Sequence, residues 1–146
     1  MLYFAYGSNM NRNQMVARCP GALLVETARL PQWEFRINGR GVATIVQHPE
    51  RTVHGVVWEI NETHRASLDR HEGVAAGCYE IRMMDVLLPC SSAVSALVYV
   101  DPIQSHGSPW DDYLNRVVEG ARQHGLPEEY IAGLLAVTEG QRARQT

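Results

Sequence analysis

The first ten residues constrain the fold of this chain most strongly. Residues 2–6 (LYFAY) form a short apolar run, typical of a buried strand, and the run ends at Gly7-Ser8-Asn9. Residues 11–18 then indicate a helix that ends before Pro20. A strand that turns into a helix start leaves backbone N–H groups without partners inside the helix, and a glycine lets a ligand come close. The turn therefore predicts a cradle for a carboxylate or an oxyanion, although turns of this kind also occur without a ligand.

Further along the chain, short apolar and alternating segments predict five more strands, which makes six in total. They lie at residues 33–37, 43–47, 53–60, 79–88 and 93–100. Helices are predicted at residues 61–69 with Asn61 as the cap, from Ser108-Pro109 to Gly125, and from about Pro127 onwards. Residues 141–146 are expected to fray. Six strands with short helices between them predict an α+β fold that can close into a small barrel.

The composition predicts one enzyme-sized domain, residues 1–146, and excludes several functions. All 13 basic residues are arginines, and the formal charge is −3. Without lysine, neither Schiff-base chemistry nor a lysine-anchored pyridoxal phosphate is available. Basic residues do not cluster, so we expect no nucleic-acid partner and no membrane partner.

Cysteine and histidine spacing predicts neither disulfides nor a metal site. The three cysteines, Cys19, Cys78 and Cys90, include no C-x-x-C pair. The opening apolar run is short and lacks a charged segment before it, so we expect no secretory signal. We therefore expect free thiols in a reducing cytoplasm. The six histidines show no spacing typical of a metal site, so neither a metal nor another cofactor is expected. A homodimer is left open.

A family resemblance covers most of the chain. The Tyr-Gly-Ser-Asn motif at residues 6–9, followed in mid-chain by Glu72-Gly73-Val74 and Gly77-Cys78-Tyr79, resembles the γ-glutamylcyclotransferase family. The segments at residues 41–45, 55–58, 108–113 and 120–130 are similar to that family in the same order. The resemblance implies a mixed α/β barrel flanked by helices. It also implies an intramolecular reaction, in which the α-amine of a γ-glutamyl group attacks its own γ-carbonyl, releases an amine and forms 5-oxoproline.

The resemblance also implies roles for particular residues. Glu72 matches the family's catalytic glutamate, and we expect it to act as general base and then as general acid, with a raised pKa in a partly dry pocket. From its local sequence alone, Glu72 would be a solvated acid at a helix end. The expected substrate-binding residues are Tyr3, Tyr6, Gly7, Ser8, Asn9, Tyr79 and Tyr113. For Tyr99, ordinary packing is favoured, and His71 is kept out of the catalytic set because sequence neighbours usually point to different faces.

The identity of the leaving amine stays open at this stage. The chain is short between Trp33 and Gly41, so the pocket mouth is expected to be open and able to admit a bulky leaving group. The candidates are general cleavage of γ-glutamyl amino acids and removal of a γ-glutamyl protecting group in small-molecule biosynthesis. A non-catalytic γ-glutamyl-binding module is a third candidate, against which Glu72 argues. A water-using amidase could share the site and would release glutamate instead.

Overall fold

The computed structural model describes the backbone of residues 1–109 and 112–145, and side chains up to residue 137. In that part of the chain there are five strands and four α-helices. In chain order they are β1 (Leu2–Ala5), α1 (Arg12–Arg18), β2 (Leu23–Ile37), β3 (Ala43–Glu59), α2 (Glu62–His71), β4 (Glu80–Leu87), β5 (Ala93–Val100), α3 (Tyr113–Gln123) and α4 (Glu128–Gln145). Short 3-10 turns at Ser8–Met10 and Val74–Ala76 follow β1 and α2.

The strands close into a barrel in the order β1-β3-β2-β4-β5. Each pair along that order is antiparallel, and the barrel closes where β5 lies parallel to β1, with Leu97 opposite Tyr3. Apolar side chains from all the strands fill the interior, and Phe4, Ile45 and Val56 are completely buried. The predicted α+β fold with a small barrel and flanking helices is therefore confirmed, with five strands in place of six.

The difference in strand number lies in the long hairpin of β2 and β3. The predicted strands at 43–47 and 53–60 are parts of one strand, β3, because β3 stays paired with β2 on both sides of an irregularity. Trp33 faces Gln47 on one side of it, and Pro31 faces Thr52 on the other. Gln32 bends the opposite strand there with a φ of 69°. The first half of β2 was not predicted. Its Leu23, Leu24 and Val25 are all exposed, so they do not alternate in burial as a half-buried strand does.

The helix predictions hold at some ends and not at others. Asn61 caps α2 in a reciprocal capping box with His64, as its position predicts. The predicted start of α3 at Ser108-Pro109 is wrong, since the helix begins at Tyr113 with Asp112 before it. Long-range contacts explain why α3 does not begin at Ser108-Pro109. The N–H of Gly107 donates to the Ile37 carbonyl, and the preceding residue, His106, forms a bridge with Asn38, so this segment is held at the barrel edge.

Two other sequence expectations concern the end of the chain and the entry to α3. Helix α4 continues to Gln145, past the end expected before residue 141. Trp110 and Asp111, in the stretch where α3 was expected to start, lie outside the described residues, as does Thr146. No helix within the described residues is both long and apolar enough to cross a bilayer.

Helix α3 supports the turn that follows β1. A Cβ on Gly120 would lie 2.6 Å from the Asn11 nitrogen, so the helix packs directly on the turn backbone. A ring nitrogen of His124 lies 2.8 Å from the Met10 carbonyl, and the Gln123 side chain accepts from the N–H of Arg12. These contacts fix the Tyr-Gly-Ser-Asn segment against the barrel before any ligand arrives.

Candidate active site

Asn9 is the centre of the hydrogen bonds in the turn after β1. Its Oδ1 accepts from Nε2 of Gln14 at 2.9 Å and from Nη1 of Arg18 at 3.0 Å. Because a guanidinium can only donate, this contact fixes the orientation of the Asn9 amide, and Nδ2 donates to the Tyr3 phenol at 2.9 Å. Asn9 is buried, and Asn11 caps α1 just beyond it. The turn is therefore rigid and linked to both β1 and α1.

One cavity of about 260 Å³ opens beside this turn. All eight residues that the sequence singled out line it: Tyr3, Tyr6, Gly7, Ser8, Asn9, Glu72, Tyr79 and Tyr113. They come from β1, the turn, the end of α2, the start of β4 and α3, so the fold brings together segments that are up to 110 positions apart in the sequence. The barrel end and the helices that flank it thus form a single concave site.

Glu72 lies at the C-cap of α2, where its N–H donates to the Leu68 carbonyl at 2.8 Å. Gly73 follows with a φ of 64°, a left-handed conformation that suits glycine, and it ends the helix at this point. The Glu72 side chain is half-buried on the cavity wall. Burial raises its pKa to about 7, against the opposing effect of the positive charges of Arg18 and Arg40. A carboxyl group with this pKa can both take up and give back a proton near neutral pH.

Two of the cavity phenols accept hydrogen bonds at their oxygens. The oxygens of Tyr3 and Tyr113 accept, from Asn9 and from the N–H of Ala43, so neither hydroxyl hydrogen is used in those bonds. By contrast, Tyr79 donates to the Ala43 carbonyl, and Tyr99 donates to the Asp69 carboxylate at 2.6 Å.

Burial is the largest cause of the raised pKa of each of these four phenols. The negative charge of Glu72 raises the pKa of each of them further. The four hydroxyls therefore remain protonated at neutral pH.

Three arginines that the sequence analysis did not select also line the cavity, namely Arg18, Arg40 and Arg116. Arg18 is at the end of α1, and Arg40 is in the short loop between β2 and β3. In a chain without lysine, arginines near the motifs are the available fixed cations, and that signal could have found Arg18. Arg40 could not be found this way, because its contacts with Cys78 and Asp101 join distant segments.

Two residues that the sequence analysis set aside also reach this cavity. Tyr99 lines it while its hydroxyl is bonded to Asp69, in keeping with the packing role favoured for it. His71 lines it as well, and its Nδ1 is 2.8 Å from the Ser67 carbonyl within α2. Among the described residues, no group of three or more histidines, cysteines or acids is arranged to hold a metal ion.

Comparison with known proteins adds an independent finding. The model of the AIG2-like family matches residues 52–134. The chain is 33% identical to the γ-glutamylcyclotransferase of Mus musculus and 32% identical to that of Homo sapiens, in each case over 93% of this chain and 78% of the relative. A solved γ-glutamyl cyclotransferase structure superposes with a TM-score of 0.84 at 32% identity, covering 93% of this chain and 86% of that one. The chain belongs to the γ-glutamylcyclotransferase family of enzymes.

Proposed function

We propose that this protein converts a γ-glutamyl amino acid or amide into 5-oxoproline and the free amine, with Glu72 as the proton-transfer residue. The observation that carries the proposal is the half-buried Glu72 carboxyl, with a pKa raised to about 7, in one cavity with the Tyr-Gly-Ser-Asn turn. Family membership supports the type of reaction.

The substrate carries both its nucleophile and its electrophile. The α-amine must fold back onto the γ-carbonyl carbon of the same residue, so the site has to hold one conformer and has no second reactant to bind. A cavity of about 260 Å³ suits a folded glutamyl group. Its rigid wall, fixed by Asn9 and by α3, removes conformational freedom that the free substrate would otherwise keep.

Glu72 performs the two proton transfers in sequence. As a carboxylate it takes a proton from the α-amine while the amine nitrogen bonds to the γ-carbon and the carbonyl electrons move onto oxygen. When the carbonyl reforms, the bond between the γ-carbon and the amide nitrogen breaks. Protonated Glu72 then returns its proton to the leaving nitrogen. A pKa of about 7 keeps both forms of the residue accessible at neutral pH.

Neutral donors stabilise the negative charges of the substrate and of the intermediate. The backbone N–H groups of the turn at Gly7, Ser8 and Asn9 are at a helix start, which favours an anion. Tyr3 and Tyr113 add hydroxyl donors whose hydrogens the protein does not use in the bonds described above. We assign the substrate α-carboxylate and the developing oxyanion to this set of donors as a whole.

A product assay by mass spectrometry tests the proposal. Purified wild-type protein and the Glu72→Gln variant are incubated with γ-glutamyl-alanine, glutathione and a bulky γ-glutamyl amine, the last chosen to test removal of a protecting group. We expect 5-oxoproline from the wild type and at least a hundredfold less from the variant, by analogy with the loss of a general base. Glu62→Gln, which replaces an exposed acid in the first turn of the same helix, is the matched control and should retain activity.

Each other outcome contradicts a specific part of the proposal. Free glutamate in place of 5-oxoproline would show that water is the nucleophile and that the protein is an amidase. An active Glu72→Gln variant would remove Glu72 from the mechanism. No product from any substrate, with a folded wild-type protein, would favour a γ-glutamyl-binding module.

A further inference from the structure

Arg40 lines the cavity and is anchored by residues outside the turn. Its Nη1 lies 3.0 Å from Oδ2 of Asp101, a carboxylate with no exposed surface, and 3.2 Å from the Cys78 carbonyl. Its guanidinium carbon lies 5.6 Å from the centre of the Tyr79 ring. Arg40 thus links the β2–β3 loop, the segment after Glu72 and the end of β5, and its side chain, one third exposed, is held by three contacts.

The way in which Arg40 is anchored leaves it able to bind a ligand. Both polar contacts use Nη1, so the hydrogens of Nη2 have capacity for an acceptor in the cavity that Arg40 lines. A guanidinium that is held in place beforehand binds a carboxylate without losing much side-chain entropy. Asp101 accepts one hydrogen bond, at Oδ1 from the N–H of Ile103, and its Oδ2 meets Arg40 as an ion pair.

Two arginines that line the cavity with Glu72 are held by different segments of the chain. Arg18 is bonded to Asn9 in the turn, and Arg40, in the β2–β3 loop, is paired with Asp101. Both positive charges lower the pKa of Glu72, and the negative charge of Asp101, the partner of Arg40, raises it. A γ-glutamyl amino acid carries two carboxylates, one on either side of the scissile amide. With the α-carboxylate assigned to the donors of the turn, the second carboxylate, on the leaving amine, is the one left for Arg40. Glu72 is the one acid among the described lining residues, so the cavity does not offer a second carboxylate to a cationic leaving group.

We propose that Arg40 binds a carboxylate on the leaving amine and so determines which amines are released. This inference rests on the proposed function. It predicts that γ-glutamyl amino acids are preferred over γ-glutamyl amides of neutral or cationic amines. The short β2–β3 loop, which from the sequence is expected to leave the mouth open for bulky leaving groups, brings in a side chain that selects for a negative charge.

The test compares γ-glutamyl-alanine with γ-glutamyl-ethylamide, which is the same molecule without the leaving-group carboxylate. The measured quantity is the ratio of kcat/KM for the two substrates, so that damage to Glu72 or partial loss of folded protein cancels. Replacing Arg40 alone by an apolar residue would leave the Asp101 charge buried and unpaired. The variants are therefore Arg40→Lys, which keeps a cation, and the double variant Arg40→Met with Asp101→Asn. Arg82→Gln, on an exposed part of β4, is the control.

We expect the wild type to prefer γ-glutamyl-alanine by about tenfold or more, the strength of a charged hydrogen bond. The ratio should approach one in the double variant, be intermediate in Arg40→Lys and stay at the wild-type value in Arg82→Gln. If the double variant lost kcat/KM equally on both substrates, or kept the wild-type ratio, the role of Arg40 would be overturned and the cyclotransferase activity would still stand. No 5-oxoproline from either substrate with the wild type would overturn this inference, and the bulky γ-glutamyl amine of the product assay would then show whether the proposed function fails with it.

Discussion

The amide nitrogen of Asn9 lies 2.9 Å from the phenol oxygen of Tyr3 and donates to it, which connects the turn to the strand before it. Asn9→Ala would remove this bond and the two that Oδ1 accepts, all at a buried position. We expect a loss of about 2 kcal/mol in the free energy of unfolding, measured by urea denaturation. Asn13→Ala, at an exposed position on α1, is the control and should leave stability unchanged or slightly higher. A loss below about 0.5 kcal/mol in Asn9→Ala would mean that this bond network does not hold the turn.

The charge of Arg18 should influence the pH at which the acidic limb of the kcat/KM profile lies. Its positive charge is the largest influence that lowers the pKa of Glu72, whose value of about 7 results mainly from burial. Because the base must be ionised, kcat/KM should rise with pH through about 7 in the wild type. In Arg18→Gln the pKa of Glu72 should be higher, and the limb should move to higher pH. The profile is measured with γ-glutamyl-alanine, and Arg12→Gln, an exposed arginine on α1, is the control. If the acidic limb does not move in Arg18→Gln, the charge of Arg18 does not influence the ionisation of Glu72.

Glu72 should lower the stability of the protein above neutral pH. Its pKa is raised from 4.5 to about 7 in the folded state, so the folded protein binds this proton more tightly than the unfolded chain does. The free energy of unfolding therefore decreases as pH rises from about 4.5 through about 7. Glu72→Gln, which resembles the protonated form, should be more stable than the wild type at pH 8 by on the order of 2 kcal/mol.

At pH 4 this difference should vanish, because the wild-type carboxyl is then protonated in both states. Denaturant unfolding at the two pH values measures the difference in the free energy of unfolding, with Glu62→Gln as the exposed control. A Glu72→Gln variant that is equally stable or less stable at pH 8 would show that burial does not penalise the charge of Glu72.

Local signals made part of this structure predictable. The cap at Asn61 and the apolar run of β1 each involve a few neighbouring residues, and each was predicted correctly. The start of α3 was not, because the bridge between Asn38 and His106 depends on residues 68 positions apart. The first half of β2 was also missed, since its exposed leucines pair with β3 through the backbone and show no alternating burial.

In the candidate site, too, some features could be predicted from the sequence and others could not. Glu72 and the turn at residues 7–9 could be selected from the sequence because each is part of a recognisable short motif. Whether a tyrosine donates or accepts could not be predicted, since it depends on a partner from another segment, such as Ala43 for both Tyr79 and Tyr113. The position of Arg40 depends in the same way on Asp101.

Substitution by alanine should affect mainly stability at Gly55 and mainly activity at Gly7. A Cβ on Gly55 would lie 2.3 Å from the Ala5 carbonyl oxygen, inside the barrel wall, so Gly55→Ala should destabilise the protein by about 3 kcal/mol or more. On Gly7 it would lie 3.3 Å from the Tyr113 hydroxyl oxygen, so Gly7→Ala should fold but displace that hydroxyl and lower kcat/KM. Thermal unfolding and the 5-oxoproline assay measure the two effects. Gly133→Ala, with open space around its Cβ, is the control for both. Full activity in Gly7→Ala would show that the turn tolerates a side chain where the substrate is expected.

The tyrosines provide the most direct test of which hydroxyls serve the substrate. Tyr3→Phe and Tyr113→Phe would each remove a donor whose hydrogen the protein does not use in the bonds described above, and kcat should fall by about tenfold to a hundredfold. Tyr79→Phe would remove a bond to the Ala43 carbonyl, so it should lower the free energy of unfolding by about 1 kcal/mol and reduce kcat much less.

Single-turnover rates and urea denaturation on the same preparations separate these two effects, and Tyr130→Phe on α4, outside this cavity, is the control. If Tyr79→Phe lost as much kcat as Tyr3→Phe, the direction of the hydrogen bond in the free protein would not determine which phenol acts on the substrate.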